Sequence, residues 1–438
     1  MSERPADQSF EAFLATLHKS RLFDAVELDR LAARARATSS TAFADALVGA
    51  RELTHYQADK LLRGRWQGLV LGPYSVLAPL GRGGMGTVVY LARDRRMTEA
   101  LGDTVLLALK LLPDRKAAAD PKVLARFQRE MELGKRVNHA NAVRTFAAGH
   151  IDDVHYLALE FIPGRTLRQT VMEKGPLAPG DAARVFADIA AGLHHVHERG
   201  LVHRDVKPAN VMIRPDGRAV ILDFGLAIAP GEPLPADPAI AGGRGYVVGT
   251  MDYLAPEQAR NAAVVGPAAD LYGLGCMLFY ALSGAVPYPA EGIKQKVKRH
   301  RDDPIPTVAD APPDLARLVR NLMAKSPDKR PRSAAQVRGC LLLWATAARA
   351  PGAVNALAAA DAPGLDADLW DAAPGDDLPT TSAEPESNPF ARLDEDDSSA
   401  LELEPVEPAT GSRTGWLLAG LLVGGMALVV LVAMLRRL

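Results

Sequence analysis

The chain has 438 residues, 48% hydrophobic and 24% charged. That predicts about two to four domains with real cores and excludes a wholly disordered chain, a collagen and a disulfide-stapled miniprotein. The formal net charge of −1 hides an uneven spread: 47 basic and 37 acidic side chains in residues 1–350 (+10), 2 and 15 in 351–413 (−13), then Arg436 and Arg437.

Residues 1–66 carry helical spacing. Phe10, Phe13, Leu14 and Leu17 follow i, i+3, i+4, i+7, and Val26, Leu28 and Leu31 continue an apolar stripe. Thr54 and Gln57 have capping-box spacing before Leu61 and Leu62, and Gly64 ends the run. A small module of three or four helices is expected, without a titratable cluster of its own. The first residues lack the apolar core of a signal peptide.

From Tyr74 the pattern changes to short β-rich runs, Tyr74 to Leu80, Thr87 to Ala92 and Thr104 to Leu112. Gly81, Gly83 and Gly86 form G-x-G-x-x-G after the first of these. Small residues let backbone N–H groups approach a polyphosphate closely. A dinucleotide fold needs a helix directly after the glycines, whereas Thr87, Val88, Val89 and Tyr90 predict a strand, hence a hairpin lid over phosphates. Helical periodicity returns around 121–137, 180–199, 267–284 and 313–324, so the expected class is α+β with two lobes. Two cysteines, Cys276 and Cys340, are too few for a disulfide framework and read as buried thiols in helical segments.

The most specific motif is His203-Arg204-Asp205-Val206-Lys207-Pro208-Ala209-Asn210, followed thirteen residues after Asn210 by Asp223-Phe224-Gly225. Five such fixed positions arise by chance on the order of 10⁻⁷ per position. Here residues 74–344 resemble the protein kinases, specifically the eukaryotic-like Ser/Thr kinases of bacteria. The resemblance implies a bilobal kinase fold, ATP and Mg²⁺ as cofactors, and transfer of the γ-phosphate to Ser/Thr hydroxyls of proteins. A pseudokinase or signalling scaffold that binds nucleotide without turnover is the alternative.

Carried over residue by residue, the resemblance makes Lys110 the holder of the α- and β-phosphates, paired with Glu130, and Asp205 the acceptor of the substrate hydroxyl proton. Lys207 would steady the γ-phosphate, and Asn210 and Asp223 would hold Mg²⁺. Leu80, Gly81, Gly83 and Gly86 would cover the nucleotide, Glu160 and Ile162 would meet adenine at the hinge, and Val88, Ala108 and Met212 would sandwich it. Gly249 to Glu257 resembles the peptide-docking segment, with Thr250 near Asp205 and Glu257 paired to Arg330. Asp270 would anchor the catalytic loop. His203 is expected in the core, and His194, His195 and His197 on the surface.

Two positions depart from the family pattern. No Ser or Thr occurs between Leu226 and Gly249, so activation is expected not to need a phosphate upstream of Thr250. Gly134 stands where the family often has a larger apolar residue, which predicts a mobile Glu130 helix awaiting a partner.

Residues 351–413 are acidic and proline-punctuated, the composition of a disordered linker. Its r.m.s. span as a flexible tether is roughly 45 Å. Its charge would let it fold back weakly onto the basic body. Trp416 to Leu435 is an uncharged run of 20 residues, about 30 Å as a helix, the thickness of a hydrocarbon core. It reads as a single-pass C-terminal transmembrane anchor. The flanking arginines would favour a cytoplasmic tail, but the missing export signal outweighs them and places the kinase domain in the cytoplasm. Gly420 and Gly424 form a GxxxG that would let two spans pack as a homodimer. The expected partners are protein substrates and the membrane, with no nucleic acid.

Overall fold

In a computed structural model, residues 9–35, 39–82, 87–96, 105–229, 251–261, 265–309 and 311–347 are described. Four helices open the chain: α1 (Phe10–Ser20), α2 (Ala25–Ala35), α3 (Ser40–Gly49) and α4 (His55–Leu62). Phe13, Leu17, Phe43, Leu53 and Leu61 close a core of their own, with Phe10 and Phe13 edge-on to Phe43 at 5.5 and 6.1 Å. Leu28 and Leu31 join it, but Val26 is 80% exposed, because position 26 opens α2 before its buried stripe begins.

The expected capping box is present at α4, and its residues also do long-range work. Thr54 Oγ1 donates to Leu77 O at 2.6 Å and Gln57 Nε2 to Val76 O at 2.8 Å. Both carbonyls belong to β2 (Tyr74–Arg82), which pairs with the two-residue β1 (Val70–Leu71) only at its start and is bulged between Val76 and Ala78. The cap therefore bonds directly to the backbone of β2 at its bulge.

β2 continues into β3 (Val88–Asp94), β4 (Leu106–Pro113), α5 (Asp114–Ala119), α6 (Pro121–Gly134), β5 (Thr145–Ile151) and β6 (Val154–Glu160). The sheet is antiparallel in the order β1-β2-β3-β4-β6-β5. Strand, not helix, follows the glycine motif, as Thr87 to Tyr90 predict. Gly83 and Gly86 lie outside the described residues.

The second lobe is helical apart from a small sheet of β7 (Arg165–Thr166), β8 (Val211–Ile213) and β9 (Ala219–Ile221). Around it stand α7 (Leu167–Lys174), α8 (Pro179–Glu198), α9 (Pro256–Arg260), α10 (Pro267–Ser283), α11 (Ile293–Asp302), α12 (Pro313–Leu322) and α13 (Ala334–Ala347). Every residue of α10 from Ala269 to Ala281 is buried, as a helix apolar on all sides requires. Gly275 lets it approach α12: a Cβ there would lie 2.6 Å from Leu322 Cβ.

One expectation fails here, and the surroundings of Gly134 become visible. Cys276 is buried, but Cys340 is exposed, since α13 packs Ala334, Val337 and Leu341 inward and turns position 340 away. Gly134 leaves no void: a Cβ on it would fall 2.5 Å from Thr145 Oγ1, so the first residue of β5 fills the space a larger side chain would need. Among the described residues no helix is long and apolar enough to cross a membrane; the linker 351–413 and the run 416–435 lie outside them.

Candidate active site

Strand alternation aims Lys110. On β4, Leu107 and Leu109 are buried in the sheet core, which turns Ala108 and Lys110 to the other face. Opposite stands α6, started by Asp120, whose side chain accepts from Lys122 N, with Pro121 in its first turn. Phe127 buries one face of α6, and Glu130, nearly one turn later, reaches the lysine. Lys110 Nζ lies 2.8 and 2.7 Å from the Glu130 oxygens and 3.6 Å from Asp223 Oδ1. Burial opposes the ammonium charge, but the Asp223 and Glu130 carboxylates more than offset it and hold Lys110 above its ordinary range. Burial likewise lifts Glu130 above the usual carboxylate range, with Lys110 pulling the other way.

Asp270 on α10 organises the catalytic loop. One oxygen accepts from Arg204 N at 2.8 Å; the other accepts from His203 N at 2.9 Å and lies 2.8 Å from His197 Nε2. Although burial opposes its charge, His197 and these donors keep the Asp270 carboxyl below its ordinary range. His203 is fully buried, as expected. Asp205 N lies 3.3 Å from its Nδ1, and its Nε2 lies 3.0 Å from Leu222 O. Both contacts fit one tautomer, with the proton on Nε2. The imidazole thus ties Asp205 to the segment that carries Asp223.

Within the loop, Lys207 Nζ donates to Asp205 Oδ2 at 2.6 Å, and Asn210 Nδ2 donates to the same oxygen and to Asp205 O, both at 3.0 Å. Leu222 N donates to Asn210 O at 2.8 Å, which sets Asn210 beside Asp223. Asp223 adopts φ 61° and accepts from Gly225 N at 3.0 Å. Asn210 spends its amide nitrogen on Asp205, so its oxygen is the atom left for a cation. With the Asp223 carboxylate it makes the hard-oxygen pair that suits Mg²⁺.

Farther out, Arg330 meets Glu257 through two bonds of 2.5 and 2.8 Å. Its remaining N–H groups donate to the carbonyls of Ala268, Ala324 and Lys325, and the guanidinium lies 4.9 Å from the Tyr272 ring centroid. A buried ion pair is tolerable when every donor is occupied.

A protein kinase domain model matches residues 74–339. The chain belongs to the protein kinase family. Its kinase domain is 36% identical over 271 residues to serine/threonine-protein kinase PknB of Mycolicibacterium smegmatis, covering 60% of this chain and 41% of that protein. It is 36% identical over 264 residues to the probable serine/threonine-protein kinase PkwA of Thermomonospora curvata, covering 60% and 33%. Against PknD of Mycobacterium tuberculosis it is 36% identical over 273 residues, covering 61% and 39%. The kinase match therefore spans less than half the length of each of these relatives.

The residues assigned to the nucleotide from the sequence are placed as follows where they are described. Leu80 is exposed at the lid and Gly81 sits opposite Val89. Val88 faces Leu111, and Ala108 and Met212 are half-buried. Glu160 ends β6 with its N–H on Arg144 O, and Ile162 is buried two residues later. Thr250 and the segment 230–249 lie outside the described residues.

Three contributions escape the motif. His197 was expected on the surface, yet Asp270 draws it inside, and its side chain is 9% exposed. His194 and His195 are half-buried, and His195 Nε2 accepts from Asn138 N. Gln258 Nε2 donates to Arg204 O at 2.7 Å, holding the loop from α9. Arg129 Nε donates to Ala227 O at 2.9 Å, joining α6 to the start of the activation segment. Arg129 and Arg126 also lie near Arg204, and burial with these two charges pushes the Arg204 guanidinium down to about 10. Helical spacing alone would have put Arg126, Arg129 and Glu130 on one face of α6.

Proposed function

We propose that the chain is a serine/threonine protein kinase that transfers the γ-phosphoryl group of ATP to protein hydroxyls. Its kinase domain faces the cytoplasm and is tethered by residues 416–435. The observation that carries the catalytic part is the Glu130–Lys110 pair at 2.7 Å, already formed and 3.6 Å from Asp223. This arrangement fixes the lysine that grips the α- and β-phosphates.

Asp205 takes the proton of the incoming hydroxyl, whose oxygen bonds to the γ-phosphorus as the bond to the β-phosphate oxygen breaks. Lys207, 2.6 Å from Asp205, lies where it compensates the charge on the transferring group. Mg²⁺, when held by Asn210 and Asp223, neutralises phosphate charge. Ser/Thr specificity follows from Lys207 two residues after Asp205 and from the names of the relatives. The absence of Ser and Thr between Leu226 and Gly249 supports activation without a phosphate there. The membrane reading rests on the 20 uncharged residues from Trp416 to Leu435, with Gly420 and Gly424 as the homodimer contact.

The test is labelled ATP with Mg²⁺ and a generic protein substrate, using the full chain beside Asp205→Asn. Phosphoserine or phosphothreonine formed by the wild type alone supports the reading. Nucleotide binding without transfer would instead make the chain a scaffold. Membrane fractionation with and without residues 416–435 checks the anchor.

A further inference from the structure

The β5–β6 hairpin turns through Asp152 and Asp153, both at positive φ, 47° and 56°. This is the two-residue turn whose twist matches that of the strands. The register makes His150 and His155 directly opposed partners, so both imidazoles stand on one face of the hairpin. Their ring centroids are 4.7 Å apart. Asp114, the first residue of α5, is brought to the same face by its N–H, which donates to Asp153 O at 2.9 Å. Its Oδ2 lies 2.8 Å from His150 Nε2 and its Oδ1 3.3 Å from His155 Nε2.

We propose that Asp114, His150 and His155 form a binding site for a zinc-class divalent cation, distinct from the Asn210 and Asp223 pair of the nucleotide cleft. One ligand atom from each of the three residues fits within a 4.8 Å cluster. Two imidazole nitrogens and one carboxylate oxygen are the donor set of an open tetrahedral zinc site, with the fourth position left to water. Imidazole ligands favour zinc over magnesium, which seeks oxygen. Bonds of about 2.0–2.1 Å to a tetrahedral ion place ligand atoms about 3.3 Å apart. His155 Nε2 stands 3.3 Å from one Asp114 oxygen and His150 Nε2 2.8 Å from the other, and one ligand atom from each residue already falls within 4.8 Å of the rest, so a small carboxylate rotation and ring shift would bring the three to that spacing. Asp114 Oδ1 is buried and, with His155 Nε2 3.3 Å away, accepts no well-formed hydrogen bond among the described residues. A cation would give that oxygen a full bond in place of this loose contact.

His155 also packs 6.5 Å from Phe127 on α6, the helix that carries Glu130. Bound metal would therefore fasten α5 to the hairpin on the sheet side of that helix.

The test uses the full chain, purified without a histidine tag and stripped by a chelator, in a Cys340→Ser background because that thiol is exposed. Zinc is titrated calorimetrically, and cobalt serves as a spectroscopic probe. The expected result is saturable binding of one ion with a raised melting temperature. Affinity should weaken by about tenfold or more in His150→Gln and in His155→Gln, and excess Mg²⁺ should not displace the ion. Asp114→Asn, which keeps the side-chain shape, should also weaken binding and serves if either histidine variant fails to fold. No saturable zinc binding, or equal affinity in the wild type and the folded variants, would overturn the proposal.

Discussion

His197 Nε2 lies 2.8 Å from Asp270 Oδ2, the same oxygen that accepts from the His203 backbone. Two elements distant in sequence, the end of α8 and the first turn of α10, thus hold the residue two before Asp205, the proposed proton acceptor. Asp270→Asn keeps the shape but sets an amide among donors that need acceptors. A destabilisation of about 1–3 kcal/mol is expected, with a fall in kcat larger than any change in the KM for ATP. His197→Leu should lower stability less, since Asp270 keeps its backbone donors. Denaturant melts and steady-state kinetics on the two variants check this ordering.

Gly225 carries the close approach of Asp223 to Glu130. A Cβ on it would lie 3.0 Å from Asp223 Oδ1 and 3.3 Å from Glu130 Oε2. Gly225→Ala is expected to leave the fold intact, displace the Asp223 carboxylate proposed to hold Mg²⁺ and lower kcat/KM for MgATP about ten- to a hundredfold. A variant with wild-type kinetics would show that the cleft relaxes around the methyl group.

The buried His300 sets an acid limit on stability. Burial, with the Lys325 charge adding, pushes its pKa down to about 4. In the unfolded chain the ring takes up its proton near pH 6.5. Between these values the unfolded state binds more protons, so this contribution is complete above pH 6.5 and is lost as pH falls toward 4. The expected loss is about 3 kcal/mol. Urea titrations across that range should show it, and His300→Gln should flatten it.

Thr54 links helix capping to sheet integrity, because its hydroxyl caps α4 and also donates to Leu77 O. Thr54→Ala should cost about 1–2 kcal/mol, whereas Thr54→Ser should restore most of it. If removing residues 1–66 left both melting temperature and phosphotransfer rate unchanged, the module would have no bracing role.

The chemistry-bearing residues were legible because kinase chemistry needs particular side chains at short, fixed spacing. Asp205, Lys207 and Asn210 sit within six residues, and Asp223 follows thirteen later. The four helices and the β-rich runs were legible from period and caps. The surface assignment of His197 failed because the carboxylate that draws it inside is 73 positions away. Cys340 failed because a helix shows one face to its neighbour whatever its average hydropathy. That Thr145, from another element, fills the space beside Gly134 was not legible either.

The sequence by itself determined the family, the candidate side chains for phosphate and metal, and the two-lobed order of elements. The order of elements rests on local periodicity, the family on motif spacing, and the candidate roles on the resemblance that the motifs carry. Only the tertiary structure decided that Asp270 draws His197 in beside the His203 and Arg204 backbone, that Arg129 joins Glu130's helix to Ala227, that the N-terminal module bonds to the backbone of β2, and that Asp114 joins the His150–His155 pair. Those facts depend on sheet register and helix packing, which bring together residues whose separation along the chain carries no local signal.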